Sequence, residues 1–168
     1  KTGTIELLYT SPINTYSIIL SKFFSSLIVY LFLWIPIIIQ IFLLDALYKD
    51  NSINIFNFGI IFSSFIGIFF IGIFYVSVGL FFSAFFDNQV ISSIFSFGLL
   101  FSGLLIFMFL GINTSDMAVR STGKYFSTFD HLYNFSRGVI DSRVLVFYLS
   151  HCIWFLFNSL NVLDWKRC

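Results

Sequence analysis

Charged side chains fall in a few clusters along the chain and leave four long apolar runs between them. These are Phe23 to Leu44, Asn51 to Phe86, Asn88 to Ser115, and Val144 to Leu163, the last interrupted only by His151. A helix rises about 1.5 Å per residue and the hydrocarbon core of a bilayer is about 30 Å thick, so roughly 20 apolar residues suffice to cross it. Each run is long enough. The fold class this predicts is all-α, a polytopic transmembrane helical bundle with four spans, at 22–44, 58–84, 90–110 and 144–163. Between and around them lie an opening segment, 1–21, a polar stretch, 111–143, and a tail, 164–168.

Local signals refine these limits. In the opening segment Ile5, Leu7, Leu8 and Tyr9 form an apolar stripe on a short surface helix that Ser11-Pro12 closes. Pro36 lies inside the first span and removes a backbone donor, which predicts a kink between Phe32 and Pro36. The run from Phe58 to Leu110 is too long for one crossing, and Asp87 is its only charge. An Asp at the bilayer centre costs about 2.5–3.5 kcal/mol, so Asp87, Asn88 and Gln89 are placed in an interfacial turn. Small residues recur every fourth position at Gly59, Ser63 and Gly67, at Gly79 and Ser83, and at Gly98 and Ser102, which predicts packing faces where helix backbones approach closely. The stretch 111–143 carries Asp116, Arg120, Lys124, Asp130, His131, Arg137 and Asp141 among aromatic residues. It reads as two short amphipathic helices at the interface; His131 beside Asp130 has the makings of a proton relay or ligand, but a lone pair at an interface is more often hydrated.

Composition agrees with this picture and narrows the chemistry. Hydrophobic residues make up 58% of the chain and charged residues 10%, against about 45–50% and 25% in soluble domains. The net charge of +1 comes from scattered single charges, so no basic stripe exists for a nucleic acid. Gly123-Lys124 lacks the glycine of a P-loop, having Ala118 at that offset and Tyr125 next. Cys152 and Cys168 have no metal-ligand spacing, and no metalloprotease, Cys-x-x-Cys or nucleophile-elbow pattern occurs. Neither a catalytic residue nor a metal site is therefore assigned. The spans contain no carboxylate; their polar groups are Gln40, Asn158, Asn161, His151, tyrosines and serines, able to bridge helices but poorly suited to coupling an ion gradient. Work on a substrate would have to be driven from outside the membrane. The chain opens on Lys1, with no signal-peptide pattern, as a piece of a longer protein would.

The opening Lys1-Thr-Gly-Thr-Ile-Glu-Leu-Leu-Tyr-Thr-Ser-Pro-Ile13, followed by Lys22, resembles the cytoplasmic coupling segment of ABC-2 type exporter permeases. The resemblance continues through Gly79-Leu-Phe-Phe-Ser-Ala-Phe-Phe-Asp-Asn-Gln-Val90, His131, Phe135-Ser-Arg-Gly-Val-Ile-Asp141, Tyr148 and the basic tail, and is greatest to the gliding-motility-associated branch. It implies two further spans ahead of these four. It also implies a multi-pass protein of the bacterial cytoplasmic (inner) membrane that works with an ABC ATP-binding subunit and a second permease subunit, identical or different. ATP would be bound by the partner, leaving no cofactor in this chain. Gly3, Thr4, Glu6, Leu7, Leu8, Ser11 and Pro12 would contact the ATPase; His131, Arg137 and Asp141 would lie in the extracytoplasmic loop.

With that placement Lys1, Lys22, Lys166 and Arg167 lie inside and Lys49, Arg120, Lys124, Arg137 and Arg143 outside, four against five. The positive-inside rule gives no orientation. A subunit of another class, a membrane anchor or assembly protein that moves no substrate, has the same run pattern; a partner ATPase distinguishes the two.

Overall fold

A computed structural model describes residues 14–48, 57–113 and 116–167, and every regular element among them is an α-helix. In chain order these are α1 (Thr15–Phe32), α2 (Ile35–Tyr48), α3 (Phe58–Phe85), α4 (Gln89–Asn113), α5 (Met117–Phe126), α6 (Thr128–Ser136) and α7 (Ser142–Arg167). Four stretches are long and apolar enough to cross a membrane: Thr15–Leu47, Phe58–Phe85, Gln89–Ile112 and Ser142–Lys166. The all-α polytopic bundle expected from the uncharged runs is the observed architecture.

The first crossing is broken in the middle. Leu33 and Trp34 leave the helix before α2 resumes. Pro36 explains the position, because its ring clashes with the carbonyl four residues earlier, at Phe32, and it donates no hydrogen bond. As the second residue of α2 it needs no intrahelical donor. Helix α1 begins at Thr15, seven residues before the expected start of the span, so residues 15–21 are continuous with its helix. No breaker lies between Asn14 and Lys22, and a lysine stem extends along apolar surface without ending a helix. The other limits also move outward. Helix α4 runs on to Asn113, and α7 takes in Ser142, Arg143 and the expected tail as far as Arg167. Only the hydrocarbon core requires apolar residues, whereas the backbone ladder continues through the headgroup layer.

Helix α3 is the centre of the bundle, packing on α1, α4, α6 and α7. Two apolar clusters hold it. One joins Ile71 to Phe135 of α6 and to Val144 and Tyr148 of α7; the other joins Ile73 to Phe23 of α1 and Cys152 of α7. Phe23, early in α1, shares its cluster with Leu80 late in α3, while Tyr30, late in α1, donates to the Ile68 carbonyl at 2.9 Å. Helices α1 and α3 are therefore antiparallel. Val144 and Lys166 of α7 meet Ile71 and Asp87 respectively, so α7 runs parallel to α3. The start of α1, the α3–α4 turn and the end of α7 thus share one end of the bundle, and α5 and α6 occupy the other.

Outside these clusters the surface is apolar: Phe62, Phe97 and Ile153 are each about two-thirds exposed, at 67%, 67% and 66%. Lipid chains are the solvent that such a surface suits. Buried serines follow the same rule, with Ser77 donating to Phe74 O at 2.7 Å and Ser159 to Phe155 O at 2.8 Å within their own helix. Ser63 differs, donating across to the Phe135 carbonyl at 2.8 Å.

Candidate functional site

The two ends of the bundle are built differently. At the end shared by α1, the α3–α4 turn and α7, Asp87 sits in the expected turn with its side chain 96% exposed and accepts from Lys166 Nζ at 2.7 Å. Lys166 also donates to the Phe85 carbonyl at 3.1 Å, so one ammonium ties the turn to the end of α7 and satisfies a terminal carbonyl of α3. Asn88 accepts from the Val90 N–H at 2.9 Å and opens α4. Gln89, expected in the turn, is already the first residue of α4. The expected coupling residues Gly3, Thr4, Glu6, Leu7, Leu8, Ser11 and Pro12 lie outside the described residues.

At the opposite end the polar stretch folds into α5 and α6. Asp116 opens α5 by accepting from the Ala118 N–H at 3.4 Å. Ser127 ends α5 and caps α6, its hydroxyl accepting from the Asp130 N–H at 3.3 Å. Gly138, at φ +82°, ends α6 in the left-handed conformation, with Gly138 N–H bonded to Phe135 O and Val139 N–H to Asn134 O, each at 3.0 Å. Those two bonds form a Schellman closure, which needs a residue that tolerates positive φ.

Helix α6 is inserted into the bundle. Phe135, 1% exposed, lies in a notch of α3 made by Ser63 and Gly67, and a Cβ on Gly67 would fall 2.5 Å from its ring. One turn earlier His131 is 4% exposed, with Nδ1 2.9 Å from the Tyr148 hydroxyl. Burial pushes its pKa below the ordinary histidine value, opposed by the Tyr125 backbone carbonyl and the carboxylates of Asp130 and Asp141. With the other ring nitrogen donating to the Tyr125 carbonyl, Nδ1 is left to accept from the Tyr148 hydroxyl. This corrects the expectation of a hydrated His131: the Ser63–Gly67 notch draws Phe135 in, and His131, one turn away on the same face, follows.

Arg137 and Asp141 do not join His131 in a cluster. The Arg137 guanidinium lies over the Tyr133 ring, 5.5 Å from its centroid. Asp141 opens α7, accepting from the Arg143 N–H at 2.9 Å. Helix α5 is held by a second glycine contact, since a Cβ on Gly123 would come within 2.7 Å of the Gly111 backbone nitrogen. The small-residue faces divide accordingly. Ser63 and Gly67 receive an interfacial helix and not another span, whereas a Cβ at Gly79 or Gly98 would meet no atom within 4 Å. Tyr148 and Gly123 were not recognised as structural from sequence; spacing within one element carries no sign of a contact made by another.

Among the described residues no three His, Cys, Asp or Glu side chains converge. One end is an ion-paired closure beside the start of α1, and the other is a pair of interfacial helices wedged into the central span. Comparison with known proteins adds the family. The model of the family described as ABC-2 family transporter protein matches residues 1–141, which takes in the opening segment, α1 to α6 and the turn that leads to α7. No curated protein matches the chain, and no solved structure does. The chain is a multi-pass membrane protein that belongs to the ABC-2 family of transporter proteins, as a membrane-spanning permease subunit and not the ATP-binding subunit with which such a permease works.

Proposed function

We infer that this permease belongs to an ATP-driven exporter of the bacterial cytoplasmic membrane, and that residues 1–13 couple it to ATP hydrolysis on a separate subunit. The observation that supports this reading most is the extent of the family match, which begins at residue 1 and so includes the opening segment. A segment that precedes a span can carry rigid-body movement of an ATPase into the bundle. Glu6 offers a charged handle and Leu7 and Leu8 an apolar one. Movement of α1 would pass to α3 through Phe23 and Tyr30, and from α3 to α6 through Phe135. A second permease subunit, two spans ahead of Lys1 and kinship with the gliding-motility branch belong to the same reading.

The test is retention of the ATP-binding subunit. The full-length protein is purified from membranes with that subunit, alone and as a Glu6→Lys, Leu8→Asp double variant. The wild type should retain it, and the variant should lose most of it while still inserting in the membrane. Equal retention in both would remove the coupling role from this segment and favour a simple anchor.

A further inference from the structure

An open-sided groove of about 560 Å³ lies at the end of the bundle occupied by α5 and α6, between the end of α5 and the first turns of α7. Its volume is within the ~300–1,000 Å³ of small-molecule sites. Tyr125, Phe126 and Phe147 form its walls; Arg143 stands at its rim, and Ser150 and His151 lie further along. Val144, Tyr148, Cys152 and Phe155 turn the opposite face of α7 inward, so the groove faces away from the core.

Three features of this groove point to one kind of occupant. Arg143 has no carboxylate within ion-pair distance among the described residues; the nearby Asp141 accepts from the Arg143 backbone N–H through Oδ1. Arg143 and His151 are eight residues apart, about 12 Å along the helix, so the groove passes from the interface into the apolar layer. His151 Nδ1 lies 2.8 Å from the Phe147 carbonyl and donates to it, and Ser150 Oγ donates to the same carbonyl at 2.9 Å, so both side chains are bonded within α7. Beyond it the helix surface continues in exposed Ile153, Trp154 and Phe157. The sequence is a cation at the surface, polar groups about two turns deeper, then apolar surface.

We propose that this groove binds a membrane glycerophospholipid, with its phosphate on Arg143 and its acyl chains passing Ser150 and His151 along the outer face of α7. A guanidinium presents a fork of donors to phosphate oxygens. The aromatic walls fit the level of the headgroups, where such rings concentrate in membrane proteins.

Native mass spectrometry of the full-length protein in detergent tests this, with dioleoyl phosphatidylglycerol as the probe and dioleoylglycerol, which lacks the phosphate, as its comparison. One phosphatidylglycerol should be retained, with about tenfold weaker affinity in Arg143→Gln, the loss expected for a charged hydrogen-bond partner. Arg120→Gln, on α5 outside the groove, should bind as the wild type does. Val146→Trp, which fills the groove without altering charge, should abolish binding. Equal binding of dioleoylglycerol, or unchanged phosphatidylglycerol affinity in Arg143→Gln, would overturn the proposal.

Discussion

Gly67 and Gly98 occupy mid-helix positions in apolar spans, yet the structure gives them opposite roles. At Gly67 an added methyl group would overlap Phe135, whereas at Gly98 it would meet nothing within 4 Å. Gly67→Ala should therefore destabilise the protein by about 1–3 kcal/mol, the usual cost of overpacking. Gly98→Ala should be neutral or stabilising by up to about 1 kcal/mol through helix propensity. Thermal unfolding of the two variants in the same detergent separates them, and equal melting temperatures would show that Phe135 does not fill the notch. His131 gives a second expectation at this scale. Its pKa is lowered on folding, so below the unfolded value of about 6.5 the unfolded chain takes up a proton that the folded one does not. Stability should fall as pH drops through 6.5 and level off below the folded pKa. His131→Gln should remove that component, leaving a flatter melting temperature between pH 8 and 5.5.

Elements were legible in the sequence to the extent that local composition determines them. Long uncharged runs required spans, Asp87 required a turn and Pro36 required a break, because each follows from the cost of a charge or of a missing donor in hydrocarbon. Helix ends were less legible, since Ser142, Arg143 and Lys166 lie beyond the apolar runs but still within the backbone ladder. Least legible was the docking of α6. The amphipathic character of 111–143 was evident, but the burial of His131 depends on a notch at Ser63 and Gly67, more than sixty residues away in sequence. Ser63 and Gly67 were singled out by their spacing as a face for a packing partner, but which helix packs there was not legible. The Lys166–Asp87 pair also joins distant positions; with Asp87 almost fully exposed, it is worth less than about 1 kcal/mol and serves to orient the turn.

For the molecule as a whole, the structure adds what charge counting could not. Lys and Arg divide four against five between the two sides, but the packing puts the start of α1, the α3–α4 turn and the end of α7 together, opposite α5 and α6. If the opening segment meets an ATPase, the first group is cytoplasmic and the second faces away. Single-cysteine labelling of the full-length protein in intact cells tests this most directly, on a background with Cys152→Ala and Cys168→Ser. A membrane-impermeant maleimide should react with cysteines replacing Arg120 or Ser136 and reach those replacing Asn88 or Lys166 only after the cytoplasmic side is opened. Labelling of Asn88→Cys or Lys166→Cys from outside, or of all four positions from the same side, would contradict a four-span permease with its coupling end in the cytoplasm.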